Sequence, residues 1–251
     1  MRRSIDLNAD LGESFGAWQM GADAQLLDLV SSCNIACGFH AGDPLTMHRT
    51  VALAVARGVA IGAHPSLPDL VGFGRREMQI EPDDLTALVL YQIAALSGFT
   101  RAAGANLHHV KAHGALYSML ARDAILAGAF CDAVEQASAG LWVYGPPAGA
   151  LRQCCAARSI GYIAEGFADR AYTVDGHLRS RKLPGALLQS AQAREQALSL
   201  ARGESISTDA GTALQLQIES LCVHGDGAHA VELAQCIRSD LLRAQIAVSA
   251  P

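Results

Sequence analysis

Short apolar runs and longer segments of helical periodicity alternate along the whole of this chain, and that alternation leaves it few folds. "SIDLNAD" precedes "ADAQLLDLVS", "CNIACG" precedes "PLTMHRTVALAVARG", and "VAIGAHPS" precedes "PDDLTALVLYQIAALSGFTRAAG". "NLHHVKAHG", "LWVYGPP", "GYIAEGFAD" and "SLCVHGD" each open a further unit, giving about seven β-then-α units of roughly 30 to 35 residues, the spacing of a parallel sheet. The runs read as near-continuously apolar, as strands covered on both faces do. Pro44 and Pro82, with Asp43, Asp83 and Asp84 beside them, mark helix starts, and Gly58, Gly104, Gly140 and Gly203 mark ends. A length of 251 residues with 51% hydrophobic content can bury a large core, and no Pro/Gly/Ser linker divides it. The expectation is one (β/α) barrel domain over residues 1–251 with seven strands, an open doubly wound sheet being the second arrangement.

Composition removes several classes of function. A formal charge of −5 offers no basic surface for nucleic acid. The longest apolar stretch, "LTALVLYQIAALSGF", is interrupted by Gln92 and Ser97 and is shorter than a bilayer span, and no apolar run follows "MRR". A soluble, cytoplasmic protein is expected, without membrane contact. The same stretch could form a homo-oligomer interface, although barrel packing is the commoner use of such a face. The seven cysteines lack CxxC spacing and read as reduced core residues, Cys37 included.

In a parallel barrel the βα loops converge on one mouth at the C-terminal strand ends, where chemistry collects. Those ends carry Asp6, Asn8 and Asp10; Asn34 and His40; His64; Lys111 and His113; Glu165; and His224 and Asp226. A lone histidine is most often structural, but histidines on four different strand ends point to a shared functional mouth. Asp10, His64 and His113 are of the types that hold a divalent metal with positions open for water. They equally suit a metal-free acid–base network. Lys111 shares strand parity with His109 and His113, and an inward cation must bind an anion or pair with Glu165 or Asp6. Arg75 and Arg76, in the glycine-flanked "GFGRRE" loop, could clamp a carboxylate or phosphate. No Walker-type, GxGxxG or G-x-S-x-G sequence is present, so ATP chemistry would need another polypeptide or an unfamiliar site.

The same strand ends carry a family likeness. "DLNADLGESFG", "NIACGFHAGDP", "GAHPSLPDLVGFGRR", "VKAHGALY", "EGFADRAY", "RKLPGA" and "VHGD" stand in the order found in the LamB/YcsF family, which this chain resembles. Ala9 and Ala112 depart from the family's frequent Cys and Pro, at positions that offer no acid, base or ligand. The resemblance implies a seven-stranded (β/α) TIM-like barrel, similar to those of polysaccharide deacetylases and glycoside hydrolases. It also implies the A subunit of an ATP-dependent 5-oxoprolinase, opening the lactam of 5-oxoproline to glutamate together with B and C subunits, with ATP and Mg handled among them. The likeness to deacetylase barrels gives a divalent metal on Asp10, His64 and His113 its weight. The candidate catalytic residues are then Asp10, His40, Lys111, His113, Glu165 and Asp226. The candidate substrate-binding residues are Asn8, Asn34, Arg75, Arg76, Arg170 and His224. The alternatives are a stand-alone metal-dependent amidohydrolase or deacetylase, and a non-catalytic binding protein within the complex.

Overall fold

The computed structural model describes residues 4–224 and 229–251. Seven parallel strands close on one another in the order β1 (Ser4–Leu11), β2 (Ser32–Ala36), β3 (Ala60–His64), β4 (His109–Lys111), β5 (Trp142–Gly145), β6 (Tyr162–Phe167) and β9 (Ser220–Val223), which pairs back to β1. The expected closed barrel is therefore observed. Between β6 and β9 the chain adds a small antiparallel pair, β7 (Ile206–Ser207) and β8 (Ala213–Leu214), and a last strand, β10 (Ala247–Val248), runs parallel to the start of β1.

Around the barrel lie α1 (Asp23–Leu26), α2 (Pro44–Arg57), α3 (Pro82–Ala102), α4 (Gly114–Arg122), α5 (Ala124–Ala137), α6 (Ala150–Ala157), α7 (Ser190–Arg202) and α8 (Ala230–Arg243). Pro44 and Pro82 occupy first helical positions, and Gly58 and Gly203 close α2 and α7 in the left-handed conformation, as their spacing predicts. Two expectations need correction. The helix expected over "ADAQLLDLVS" is a single turn, where the Asp23 carboxylate accepts from Gly12 N and Thr50 Oγ1 and ties the loop after β1 to α2. The segment "SMLARDAILAGAFCDAVEQASAG", whose periodicity predicts one helix, breaks into α4 and α5 at Asp123, where the backbone is extended and the side-chain carboxylate accepts from Ile125 N and Leu126 N. Among the described residues α3 alone is long and apolar enough to cross a membrane; here Leu85, Val89, Ile93 and Leu96 are buried in the core.

The barrel interior departs most from expectation. The strands do not present two apolar faces: Ile5, Leu7, Ala9, Leu11, Ile35 and Val110 join the apolar core, whereas the alternate residues fill the barrel with polar side chains. Asp6 accepts from the hydroxyls of Ser31 (2.6 Å) and Ser32 (2.8 Å) at one end. Asn34 Nδ2 donates to Asn8 Oδ1 (2.8 Å) and Asp10 Oδ1 (2.9 Å) in the middle. His109, inward as its parity predicts, sits 2.7 Å from Asn34 Oδ1 and stacks on Tyr144. Gly62 on β3 makes the space for that ring, since a Cβ there would lie 2.1 Å from His109 Nε2.

The loop that carries His40 hangs on Gly42. Its φ of +82° is disfavoured for side-chain-bearing residues, and a Cβ would meet the backbone oxygens of Ala36 at 2.8 Å and Gly12 at 2.9 Å. Gly42→Ala is expected to destabilise the fold by about 2 to 4 kcal/mol in chemical denaturation, strain and a backbone clash acting together. An unchanged midpoint would show that this loop has room to shift.

Candidate active site

The C-terminal strand ends open into a cavity of about 820 Å³ whose wall includes Asp10, Glu13, His64, Lys111, His113 and Glu165. Lys111 is only 1% exposed, and its Nζ reaches across the barrel to Glu165 Oε1 (2.7 Å), Asp10 Oδ1 (3.0 Å) and Asn8 Oδ1 (3.2 Å). Of the two partners the sequence offered, Glu165 is the one used, joined by Asp10; Asp6 binds serines instead. Burial opposes the Lys111 charge, but the carboxylates, Asp10 foremost, outweigh it and hold the ammonium well above its usual 10.5. Burial likewise opposes the Asp10 charge, and His64 and Lys111 outweigh it, keeping the carboxyl well below 3.8. Fixed ionic groups thus form the floor of the cavity.

Beside this floor lies a histidine cluster. The rings of His40 and His113 stack at 3.7 Å, and His64 stands edge-on to both. His64 Nδ1 lies 2.7 Å from the Lys111 carbonyl, and His113 Nε2 lies 2.9 Å from the Phe73 carbonyl. A carbonyl only accepts, so each of these ring nitrogens carries hydrogen, which leaves His64 Nε2 and His113 Nδ1 to meet other partners. Those two atoms lie 3.0 Å apart, and Asp10 Oδ2 lies 3.4 Å from His64 Nε2. Burial pushes His113 and His40 well below 6.5. Glu13, His40, His64 and His113 bring one donor atom each within 4.8 Å of one another, and both His40 nitrogens are buried without a hydrogen-bond partner. Three imidazoles and a carboxylate, two of the rings already oriented by backbone carbonyls, are a donor set that could hold a divalent metal.

The rest of the mouth carries arginines. Arg75 lies over the Phe73 ring at 4.7 Å, and Arg181 and Lys182 also line the cavity. Arg170, mostly buried, donates to the carbonyls of Ala186 and Arg179; burial first, and then Arg181, lower it to about 10. His224 pairs with Asp169 at 2.8 Å and stacks on Phe167. The cavity is therefore polar in the electrical sense, with carboxylates and imidazoles on its floor and guanidinium groups on its wall.

The structure brings Asp10, His40, His64, Lys111, His113 and Glu165 together as the strand ends suggest, and sets Arg75, Arg170 and His224 on the wall. It places three candidates elsewhere. Asn8 and Asn34 are wholly buried beneath the floor, where they orient Asp10, Glu165 and Lys111 instead of facing the cavity. Arg76 turns away to pair with Asp69. Asp226 lies outside the described residues. For the metal, the donor set centres on Glu13 and His40 with His64 and His113, while Asp10 Oδ2 stands 3.4 Å from His64 Nε2. Glu13, Asp169, Tyr117 and Arg181 were not singled out from the sequence. Glu13 follows directly on the first strand end, which was its available signal; Tyr117 sits one turn into α4 and offered none. Cys37 is a packing residue, its thiol pushed up to about 12 by burial, and all seven cysteines are free.

The whole chain is matched by known proteins. The model of the LamB/YcsF family covers residues 5–251. A barrel with its acid, histidine and lysine groups gathered at the mouth is the class that fold and site define, and within it this chain belongs to the LamB/YcsF family. The A subunit of 5-oxoprolinase from Bordetella pertussis is 53% identical over 253 residues, spanning all of both chains. Its counterpart from Bacillus subtilis, also a 5-oxoprolinase A subunit, is 48% identical over 247 residues, 98% of this chain and 96% of its own. The crystal structure of a lactam utilization protein from Thermus thermophilus superposes with a TM-score of 0.93 at 41% identity, covering 99% of this chain and 100% of that one.

Lys111→Met is expected to destabilise the chain by about 3 to 5 kcal/mol, because Asp10 and Glu165 would keep buried charges without their cation. Adding Glu165→Gln should recover part of that loss in urea denaturation; no recovery would show that packing, not charge, is what Lys111 contributes. As the folded pKa of Lys111 is raised, its stabilisation is fully present below pH 10.5 and disappears only as pH climbs through the folded value.

Proposed function

We propose that this chain opens the lactam ring of 5-oxoproline to glutamate as the A subunit of an ATP-consuming 5-oxoprolinase, whose B and C subunits supply the nucleotide chemistry. The observation that carries this reading is the opposed charge of the cavity, together with full-length relatives near 50% identity that bear that name. A 5-oxoproline carboxylate on Arg75, Arg170 and Arg181 turns the other end of the ring toward the floor. There, His40, whose ring nitrogens have no hydrogen-bond partner, and the stacked His113 are placed to hold an attacking water. Lys111, held charged, places a fixed positive field where negative charge develops on the carbonyl oxygen. Asp10, held ionised, fixes that ammonium and the His64 ring. A divalent metal on Glu13, His40, His64 and His113 would supply Lewis acidity and a more acidic water when bound. A lactam is a stable amide; phosphorylation of its carbonyl oxygen by ATP would make the carbon electrophilic, and water would add there. The C–N bond would break with the nitrogen leaving as the amine of glutamate, and hydrolysis of the resulting acyl phosphate would release phosphate, which accounts for the ATP. No Walker-type or GxGxxG sequence opens a helix of this chain, consistent with nucleotide handling by partners.

A second reading, a stand-alone metal-dependent amidohydrolase, rests on the histidine–carboxylate cluster alone. Glutamate release from 5-oxoproline separates the two. Turnover is expected only when this chain, the B and C subunits and ATP are all present, and His113→Ala should lower kcat by about 100-fold or more. Turnover by the chain alone with metal and no ATP would favour the second reading.

Calorimetric titration of the chain with Zn²⁺ is expected to show one site, weakened roughly 100-fold or more by His64→Ala. Unchanged binding in that variant would take the metal out of this cluster.

A further inference from the structure

Two buried polar atoms at the cavity wall are left without partners by the network around them. Glu165 Oε1 is fully used, accepting from Lys111 Nζ at 2.7 Å and Asn8 Nδ2 at 2.9 Å, while Glu165 Oε2 has no hydrogen-bond partner. The hydroxyl of Tyr117 has none either. Both residues line the same cavity, and burial first, and then Glu165, push the Tyr117 phenol well above 10, so it keeps its proton. Neither atom bonds the other. The Tyr117 ring is fixed edge-on against Phe167, with centroids 5.7 Å apart, and the Glu165 carboxylate is pinned by Lys111 and Asn8. Leaving a buried donor and a buried acceptor unmatched costs roughly 1 to 3 kcal/mol each, a cost that a ligand meeting both would recover.

We propose that Tyr117 and Glu165 form a subsite that reads the cis-amide edge of a lactam, Tyr117 donating to the ring carbonyl and Glu165 Oε2 accepting from the ring N–H. An ionised carboxylate can only accept, so the group facing it must donate. The phenol is then the donor for an adjacent acceptor. A five-membered lactam holds its amide cis and presents C=O and N–H side by side on one edge. The trans amide of a peptide or an acetamido group places them on opposite edges and can satisfy only one of the two. A lactone of the same shape puts a lone pair against Glu165 and is rejected by repulsion as well as by the missing bond. The proposal rests on the lactam reading above and adds the residues that tell a cyclic amide from its isosteres.

The test is calorimetric binding to the full chain, with the B and C proteins present, of three probes: 5-oxoproline, the lactone 5-oxotetrahydrofuran-2-carboxylate, and cyclopentanecarboxylate. The wild type is expected to bind 5-oxoproline at least about tenfold more tightly than the lactone. Tyr117→Phe should weaken 5-oxoproline and the lactone alike by about tenfold, leave the preference between them intact, and leave cyclopentanecarboxylate unchanged. Because the hydroxyl has no protein partner, the same variant should keep or raise the thermal midpoint, a result that a structural hydrogen bond would not give. Equal binding of lactam and lactone by the wild type, or a Tyr117→Phe loss shared by cyclopentanecarboxylate, would overturn the subsite while leaving the lactam reading standing. Failure of 5-oxoproline to bind better than cyclopentanecarboxylate would overturn both.

Discussion

One buried ammonium organises this molecule. Lys111 lies on the shortest barrel strand and touches groups from three others, Asn8 and Asp10 on β1, Glu165 on β6 and Cys222 on β9. Such a charge is tolerable only with carboxylates at hydrogen-bond distance, and those carboxylates also accept from Asn8, at Glu165 Oε1, and from Asn34, at Asp10 Oδ1. The polar column therefore continues through Asn34 to His109 and, at the far end, to Asp6 among its serines. The apolar work of folding is displaced outward, to the layer between strands and helices where Leu7, Ile35, Val110 and Leu221 pack. The barrel is held shut by hydrophobic burial on its outside and given its single arrangement by ion pairing on its inside.

That division explains what was legible in the sequence. The alternation of runs and helices is a statement about the outer apolar layer, and it specified seven strands and their order. Strand-end residues were legible because parallel strands deliver them to one mouth whatever their neighbours are, which is why Asp10, His64, Lys111, His113 and Glu165 meet. Facing direction was harder. Asn8 sits one pleat below Asp10 and Asn34 lies opposite Asp10 in register, and only the closed interior shows that Asn8 serves Lys111 and Glu165 while Asn34 serves Asp10. Arg75 and Arg76 are adjacent in one loop; Asp69 captures the second and leaves the first over Phe73 at the cavity, a choice that depends on loop packing alone. Tyr117 and Glu13 were missed for a related reason, since a helix turn and a loop carry no parity that points inward.

Unmatched polar atoms occur at more than one level of the barrel. From Asp6 through Asn34 to Lys111 the side chains bond one another, although the Tyr144 hydroxyl beside His109 has no partner, and at the mouth His40, the Tyr117 hydroxyl and Glu165 Oε2 have none either. Tyr117 and Glu165 line the cavity at the mouth, where a ligand could meet them. The same end carries the strained or glycine-dependent loops, with Phe73 at a φ of 54° supplying the carbonyl that orients His113.

Charge and geometry converge on the contact between His64 and His113. Each ring gives one nitrogen to a backbone carbonyl, that of Lys111 for His64 and that of Phe73 for His113, so the remaining two nitrogens meet at 3.0 Å. Around them the barrel sets the Asp10 carboxylate, 3.4 Å from His64 Nε2, and the Glu13 carboxylate, 3.6 Å from His40 Nε2. Three imidazoles and a carboxylate with donor atoms within 4.8 Å of one another could hold a divalent ion, and both His40 nitrogens lack a hydrogen-bond partner there. These residues come from four separate strand ends, and it is the closure of the barrel that brings those ends to one place.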